Sequence, residues 1–307
     1  MNAGSEVIHR ACPLDGGTDA EPFMRKGGLE LVRCRRCGMV YADPVAADLA
    51  SGVFYDRTEA NYYLSPDKLE SDYSPVRFER ELRLLRKYCP RGAVLDVGCS
   101  TGAFLHQLNS RFPGDYRGVG TDVAGAALDH AEGQGIEVIR ESFLEFDFGQ
   151  RRFDAVTFWA VLEHVIDPVR FFDRAAGLLA PGGYCFALVP NLKSLAVRLL
   201  GTKYRYIMPD HMNYFAAKTL AHLAQTAGTL EIVALLSTHF NPLVLLYDWR
   251  GGDARVPDEA RARLLKRTTA YKQNSWLKPL KTFYGAMESI LGRLHLADNL
   301  VLVVRKL

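Results

Sequence analysis

The sequence predicts a doubly wound α/β domain with a mostly parallel sheet, an expectation that rests on three features. Apolar runs of strand length near residues 93–97, 116–121, 136–140, 153–159 and 183–189 alternate with helix-prone segments, as βαβ units require. Residues 94–102 read Val-Leu-Asp-Val-Gly-Cys-Ser-Thr-Gly, an apolar strand that ends in a small-residue loop before a helix opening near Ala103. A lone acid, Asp122, follows Gly-Val-Gly-Thr twenty-six positions after Asp96.

With 307 residues and 48% hydrophobic content, the chain can bury a large core, and one main domain with appendages is expected. Four regions follow from composition. Residues 1–45 are Gly-rich and Cys-bearing, too short for a core of their own. Residues 46–90 are Tyr-rich and helix-prone, closing on the periodic series Phe78, Leu82, Leu85. Residues 91–240 hold the alternating elements, with a polar-aromatic loop near 205–216 and a further strand near 230–238. Residues 241–307 add helices and a last strand, Leu300 to Val304. No apolar stretch reaches membrane-spanning length and Met1 to Arg10 has no apolar leader, so a soluble, cytoplasmic protein is expected. Trp276, Leu280, Phe283, Met287, Ile290, Leu291 and Leu294 share one helical face, read as core or a subunit contact, with peripheral membrane contact as the other use. Oligomeric state is not encoded in any motif.

Charge excludes some partners. Residues 1–45 carry six Lys/Arg and six Asp/Glu, too balanced a set to grip nucleic acid. Residues 246–307 carry twelve Lys/Arg against six Asp/Glu, so an anionic partner would meet the C-terminal part.

The loop after the first strand lacks the G-x-G-x-x-G run that seats a pyrophosphate on a helix N-terminus. It reads Asp96-x-Gly98-x-Ser100-x-Gly102, with an acid at the strand end that repels phosphate and favours a cation. Asp122, ending the second strand, can accept from both hydroxyls of a ribose. A ligand with adenosine at one end and an amino acid at the other suits that polarity. These residues resemble the S-adenosylmethionine (SAM) site of class I methyltransferases. The likeness continues through Arg152-Phe-Asp-Ala-Val156, Val161-Leu-Glu-His-Val-Ile-Asp-Pro168 and Leu178-Leu-Ala-Pro-Gly-Gly183, spanning residues 93–190.

The resemblance implies a seven-stranded Rossmann-like sheet whose last strand is antiparallel. It implies that Asp96 holds the methionine ammonium, that Gly98, Ser100 and Gly102 let the backbone pass beneath the ligand, and that Asp122 binds the ribose with Val123 against the adenine. Ser100 stands where the family often has Gly, and Ser142 where it often has an acid, with Phe143 as an apolar wall. Phe158 and Trp159 are placed where the sulfonium and the acceptor would meet.

Cys34-Arg-Arg-Cys37-Gly38 is a metal-ligand knuckle, and Cys12-Pro-Leu-Asp15-Gly16 repeats its spacing with Asp15 in the second slot. Zinc accepts carboxylate or imidazole beside thiolate, so Asp15 is the expected fourth ligand and His9 its rival. Some methyltransferases carry a similar N-terminal knuckle pair before a short apolar run, here Met39 to Pro44. A small zinc-ribbon-like module with a structural Zn2+ is therefore expected. Cys89, Cys99 and Cys185 read as small core or loop residues.

His164 follows the fourth strand, at the sheet edge where such folds bind ligands. His211 lies in Pro209-Asp-His-Met-Asn-Tyr-Phe215, which resembles a loop in zinc-bearing sugar C-methyltransferases. That resemblance makes His211 the expected base, Asp210 its orienter and Tyr214 a pocket wall, with His164 a second base or a packing residue. Tyr62 and Tyr63 are expected in a lid, and the remaining histidines are read as structural. The function expected is methyl transfer to oxygen or carbon of a small polar metabolite, a sugar or nucleotide-linked sugar. An RNA methyltransferase and a non-catalytic SAM-binding protein are the alternatives.

Overall fold

A computed structural model describes residues 6–58, 60–251, 263, 266 and 278–307. Trp276 lies outside them. Strands β1 (Val7–Ile8), β2 (Ala20–Lys26), β3 (Leu29–Cys34), β4 (Val40–Ala42) and β5 (Val45–Ala46) open the chain, followed by the short helices α1 (Ala47–Ser51), α2 (Val53–Thr58), α3 (Ala60–Tyr63) and α4 (Pro66–Asp72). Helix α5 (Glu79–Tyr88) then buries Leu82 and Leu85 on one face, as the spacing predicts, with Phe78 at its N-cap.

The central units are β6 (Gly92–Val97), α6 (Ala103–Arg111), β7 (Tyr116–Thr121), α7 (Gly125–Gly133), β8 (Glu137–Ile139), β9 (Phe153–Trp159), α8 (Pro168–Leu178) and β10 (Leu179–Pro190). Beyond them come α9 (Leu195–Leu200), β11 (Asn213–Tyr214), α10 (Ala217–Thr226), β12 (Leu230–Thr238), α11 (Pro242–Gly251), α12 (Lys278–Arg293) and β13 (Asn299–Lys306). Seven strands form one sheet in the order β12-β13-β10-β9-β6-β7-β8. The four pairings from β10 to β8 are parallel, while β13 runs antiparallel to both its neighbours. This is the Rossmann-like methyltransferase sheet, and the order reverses beside β6, so the ends of β6, β7 and β9 open on a crevice.

Close approach of α6 to the sheet depends on Gly118 and Gly120 in β7. A Cβ on Gly118 would lie 2.8 Å from Leu105 of α6, and one on Gly120 would lie 2.5 Å from the Cys99 sulfur in the loop. Asp167 starts α8 by accepting from the Arg170 amide, with Pro168 at the first helical position.

A second sheet was not legible in the sequence. Its order is β11-β4-β3-β2, so a strand from the loop containing His211 completes the N-terminal module. Leu31, Val40, Ala42 and Val45 pack against Leu200, Tyr204, Ile207 and Met212, so residues 1–45 share a core with the main domain. On α12, Leu291 is buried whereas Ile290 and Leu294 are exposed, so the expected apolar stripe is only partly used. Among the described residues no helix is long and apolar enough to cross a membrane.

Gly120→Ala is expected to destabilise the protein by about 1–3 kcal/mol, because the loop at Cys99 has to move off the new methyl group. Denaturant melts check this; an unchanged midpoint would show that the loop yields freely.

Candidate active site

Strand β6 delivers Asp96, nearly fully buried, to the edge of a cavity of about 670 Å³. Thr157 of β9 donates its hydroxyl to Asp96 Oδ1 at 2.6 Å. Burial pushes this carboxyl up to about 7, against the Thr157 bond, and Asp122 adds to the rise. Gly98, Ser100 and Gly102 all adopt left-handed backbone, at φ 73°, 49° and 76°. Such a φ suits glycine but costs an L-residue roughly 1–2 kcal/mol, so Ser100 is held there by its surroundings. A Cβ on Gly98 would meet Val161 at 2.5 Å.

Asp122 ends β7 and ties the loop together. Its Oδ2 accepts from the Ser100 amide at 2.8 Å and its Oδ1 from the Ala124 amide at 3.0 Å. Burial raises its carboxyl, while those amides oppose the rise. Each oxygen keeps a lone pair for a ligand hydroxyl. Ser100 Oγ is buried without a partner.

The cavity lining includes Asp96, Gly98, Ser100, Asp122, Val123, Ser142 and Phe143 from the expected cofactor set, and Trp159, His164, His211, Tyr62 and Tyr63 from the acceptor set. Val123 is 49% exposed, an open shelf and not a packed wall. Four expected residues lie elsewhere. Gly102 faces Ala131 and Ile136, where a side chain would block α7. Phe158 is fully buried between Phe143 and Phe172, because successive strand residues face opposite sides and Trp159 takes the cavity side. Tyr214 exchanges hydrogen bonds with the Met208 backbone and shapes the loop from within. Asp210 is buried off the lining, and its backbone carbonyl, not its carboxyl, meets Tyr55 and His164.

That carbonyl sets the state of His164. His164 Nδ1 lies 2.9 Å from Asp210 O and 2.9 Å from the Tyr55 hydroxyl, which itself donates to Asp210 O at 3.2 Å. A carbonyl only accepts, so Nδ1 carries a proton toward Asp210 O. His211 stands edge-on to His164 with ring centroids 4.6 Å apart and stacks on Tyr206 at 5.9 Å.

Glu163 was missed by sequence reasoning, although it sits inside the motif. Ligand atoms of Glu163, His164 and His211 lie within 4.8 Å of one another, a grouping that can hold a cation or share protons. Glu163 is 1% exposed, both its carboxyl oxygens lack a partner, and burial, reinforced by Asp210, pushes it up to about 8. His239, read as structural, also lines the cavity, with Nε2 3.7 Å from Glu81.

Outside the cavity lining, Cys12, Asp15, Cys34 and Cys37 bring one ligand atom each within 4.8 Å of the others. The Cys12 and Cys37 sulfurs are 3.5 Å apart, and Cys34 Sγ is 3.4 Å from Asp15 Oδ2. His9 instead bonds Asp43 at 3.1 Å and lies outside the cluster.

A family described as a methyltransferase domain matches residues 74–235. The ubiquinone biosynthesis O-methyltransferase of Burkholderia thailandensis is 27% identical over 189 residues, 56% of this chain and 81% of that protein. The protein of the same name from Psychrobacter cryohalolentis is 34% identical over 169 residues, 50% of this chain and 65% of its own. Among solved structures, a SAM-dependent methyltransferase from Thermotoga maritima, described as a possible histamine N-methyltransferase, aligns with TM-score 0.53 and 14% identity over 81% of this chain and 98% of its own. Phosphoethanolamine N-methyltransferase 2 from Haemonchus contortus, solved with SAM, aligns with TM-score 0.53 and 16% identity over 87% of this chain and 62% of its own. At such identities the two structures speak for the fold alone.

The Glu163 carboxyl generates a pH prediction. Raised from 4.5 to about 8, it favours the folded state fully below pH 4.5, and that contribution is lost as pH rises to about 8. Ligand-free Glu163→Gln should therefore match the native protein near pH 4.5 and exceed it by on the order of a few kcal/mol above pH 8. Urea melts across that range check this; parallel curves would count against a buried, unpaired carboxyl.

Proposed function

Because the chain belongs to the methyltransferase-domain family, we propose that it moves a methyl group from SAM to a hydroxyl oxygen of a small polar acceptor held at the histidine end of the cavity. It is a SAM-dependent methyltransferase of class I. The acceptor reading is carried by one observation: His164 and His211 stand edge to face on the cavity that also receives Asp96 and Asp122. Relatives named as O-methyltransferases favour oxygen over carbon.

The four lining Lys and Arg residues are paired: Lys68 and Arg77 with Asp72, Arg80 with Glu288, Arg205 with Asp248. A phosphate would find no spare Lys or Arg among the described lining residues. This favours an uncharged, hydroxyl-bearing acceptor over a nucleotide-linked sugar.

The residues present suit the methyl donor. An ammonium beside Asp96 would let that desolvated carboxyl ionise, and ribose hydroxyls would use the remaining lone pairs of Asp122. Ser100 Oγ offers an unused polar atom, the bare Gly98 backbone a floor, and Val123, Ser142 and Phe143 a site for the adenine. When bound, SAM supplies an electrophilic methyl carbon on a positively charged sulfur. His211 is placed to take the acceptor hydroxyl proton, beside His164, whose Nδ1 is held by Asp210 O. Trp159, Tyr62 and Tyr63 exclude water, so that positioning does most of the work.

Cys12, Asp15, Cys34 and Cys37 are proposed to hold a structural zinc ion. Thiolates about 2.3 Å from zinc sit about 3.8 Å apart at tetrahedral angles, close to the spacing of these side chains. A closed four-ligand site leaves no position for a substrate, so the ion would serve folding and not chemistry.

Calorimetry with S-adenosylhomocysteine tests the donor site. Asp122→Ala should weaken binding at least about 100-fold, since both ribose bonds and the loop tie go. His211→Ala should bind normally yet transfer label from SAM to hydroxyl acceptors about 10²–10⁴ times more slowly. Native affinity in the first variant, or an undiminished rate in the second, would refute the corresponding role. Metal analysis of gently purified protein should return about one zinc per chain; a value near zero removes that assignment.

A further inference from the structure

The module that carries the cysteines is wired to both histidine loops by a small set of buried bonds. Arg10 stands two residues before Cys12 and sends one guanidinium nitrogen, Nη2, to Ile166 O at 2.8 Å and to Asn213 Oδ1 at 2.9 Å. The Asn213 amide nitrogen donates in turn to Leu162 O at 2.8 Å and Val165 O at 2.7 Å. These two carbonyls bracket His164. On the same loop, the Met212 and Asn213 backbone amides both donate to Glu163 O, at 2.7 and 3.0 Å. From the other side, the Ala42 amide donates to Met212 O at 2.9 Å, and Asn213 and Tyr214 pair with Tyr41 and Val40 across β11 and β4.

Asn213 therefore spends its side-chain oxygen on the N-terminal arm and its nitrogen on the His164 loop, two positions after His211. Only an amide at position 213 can accept from a guanidinium and donate to two carbonyls at once. The His164–His211 ring distance is set by these bonds as much as by the main sheet, since neither loop lies in a strand of it.

We infer that the N-terminal cysteine module is a brace that fixes the spacing of the two histidines, with Arg10 and Asn213 as the positioning residues through which it acts. The inference rests on the proposed roles of those histidines at the acceptor. Metal bound at the knuckles would stiffen the start of the chain from Cys12, and with it the anchor of Arg10. Losing either the metal or the two Arg10 bonds loosens residues 161–166 and 208–214 together, while the donor end around Asp96 and Asp122, on other elements, keeps its shape.

Hydrogen exchange read by mass spectrometry tests this without cofactor or acceptor, so it fails separately from the methyl-transfer reading. In Arg10→Ala, and in native protein stripped by a chelator, protection of segments 161–166 and 208–214 should fall at least about tenfold, with β6 and β9 unchanged. S-adenosylhomocysteine affinity should stay within about threefold of native. Arg10→Lys, which keeps the charge and a multiple donor but not the planar guanidinium, should restore part of the protection. Should Arg10→Ala fold poorly, Asn213→Ala gives the same readout from the other end of the bond. Native protection in both loops, or an equal loss across the sheet, would overturn the brace.

Discussion

Two carboxylates removed from water organise this protein. Asp96 and Asp122 end neighbouring parallel strands and face one another across the loop that joins β6 to α6. Taking both out of solvent is expensive, as their raised protonation equilibria show. The fold offsets the cost locally, with the Thr157 hydroxyl for one and the Ser100 and Ala124 amides for the other. The left-handed turns at Gly98 and Ser100 follow from that demand, because the loop must bend back to present its amide to Asp122. The result is a pocket whose polarity suits a cation at one end and hydroxyls at the other.

The donor end was legible because its signals are local. A strand, a small-residue turn and an acid at the next strand end are set by residues within some thirty positions of each other. The seven strands were visible for the same reason, each being an apolar run between breakers. Phe158 and Trp159 show where this stops. Strands buried on both faces lack alternation, so two adjacent aromatics give no clue to which one faces the ligand. Glu163 could be read as a residue but not as a buried one, since its burial is imposed by the 208–214 loop folding over it.

The histidine end of the cavity is assembled from distant segments, and although the resemblance pointed to several of its residues, their arrangement left almost no trace in the sequence. Strand β11 has two residues and finds its partner about 170 positions earlier, so no periodicity announces it. The family resemblance implies that Asp210 and Tyr214 belong to the pocket. In the structure Tyr214 spends its hydroxyl within the loop and Asp210 its backbone carbonyl on His164, and the cavity is left to His211. The Nδ1 proton of His164 is directed at a backbone carbonyl, which no side-chain pattern can reveal.

One consequence concerns modularity. Cysteine knuckles at the start of a chain invite treatment as a detachable cassette, to be trimmed or exchanged between homologues. Here the seam between cassette and catalytic body runs through a sheet: three strands come from one and the edge strand from the other, and the apolar side chains of both fill a single interior. Grafting a foreign cassette would therefore have to reproduce the hydrogen-bonding edge that β11 expects, along with the matching interior surface. Inheritance of the two parts as one unit is the natural outcome of such a shared border.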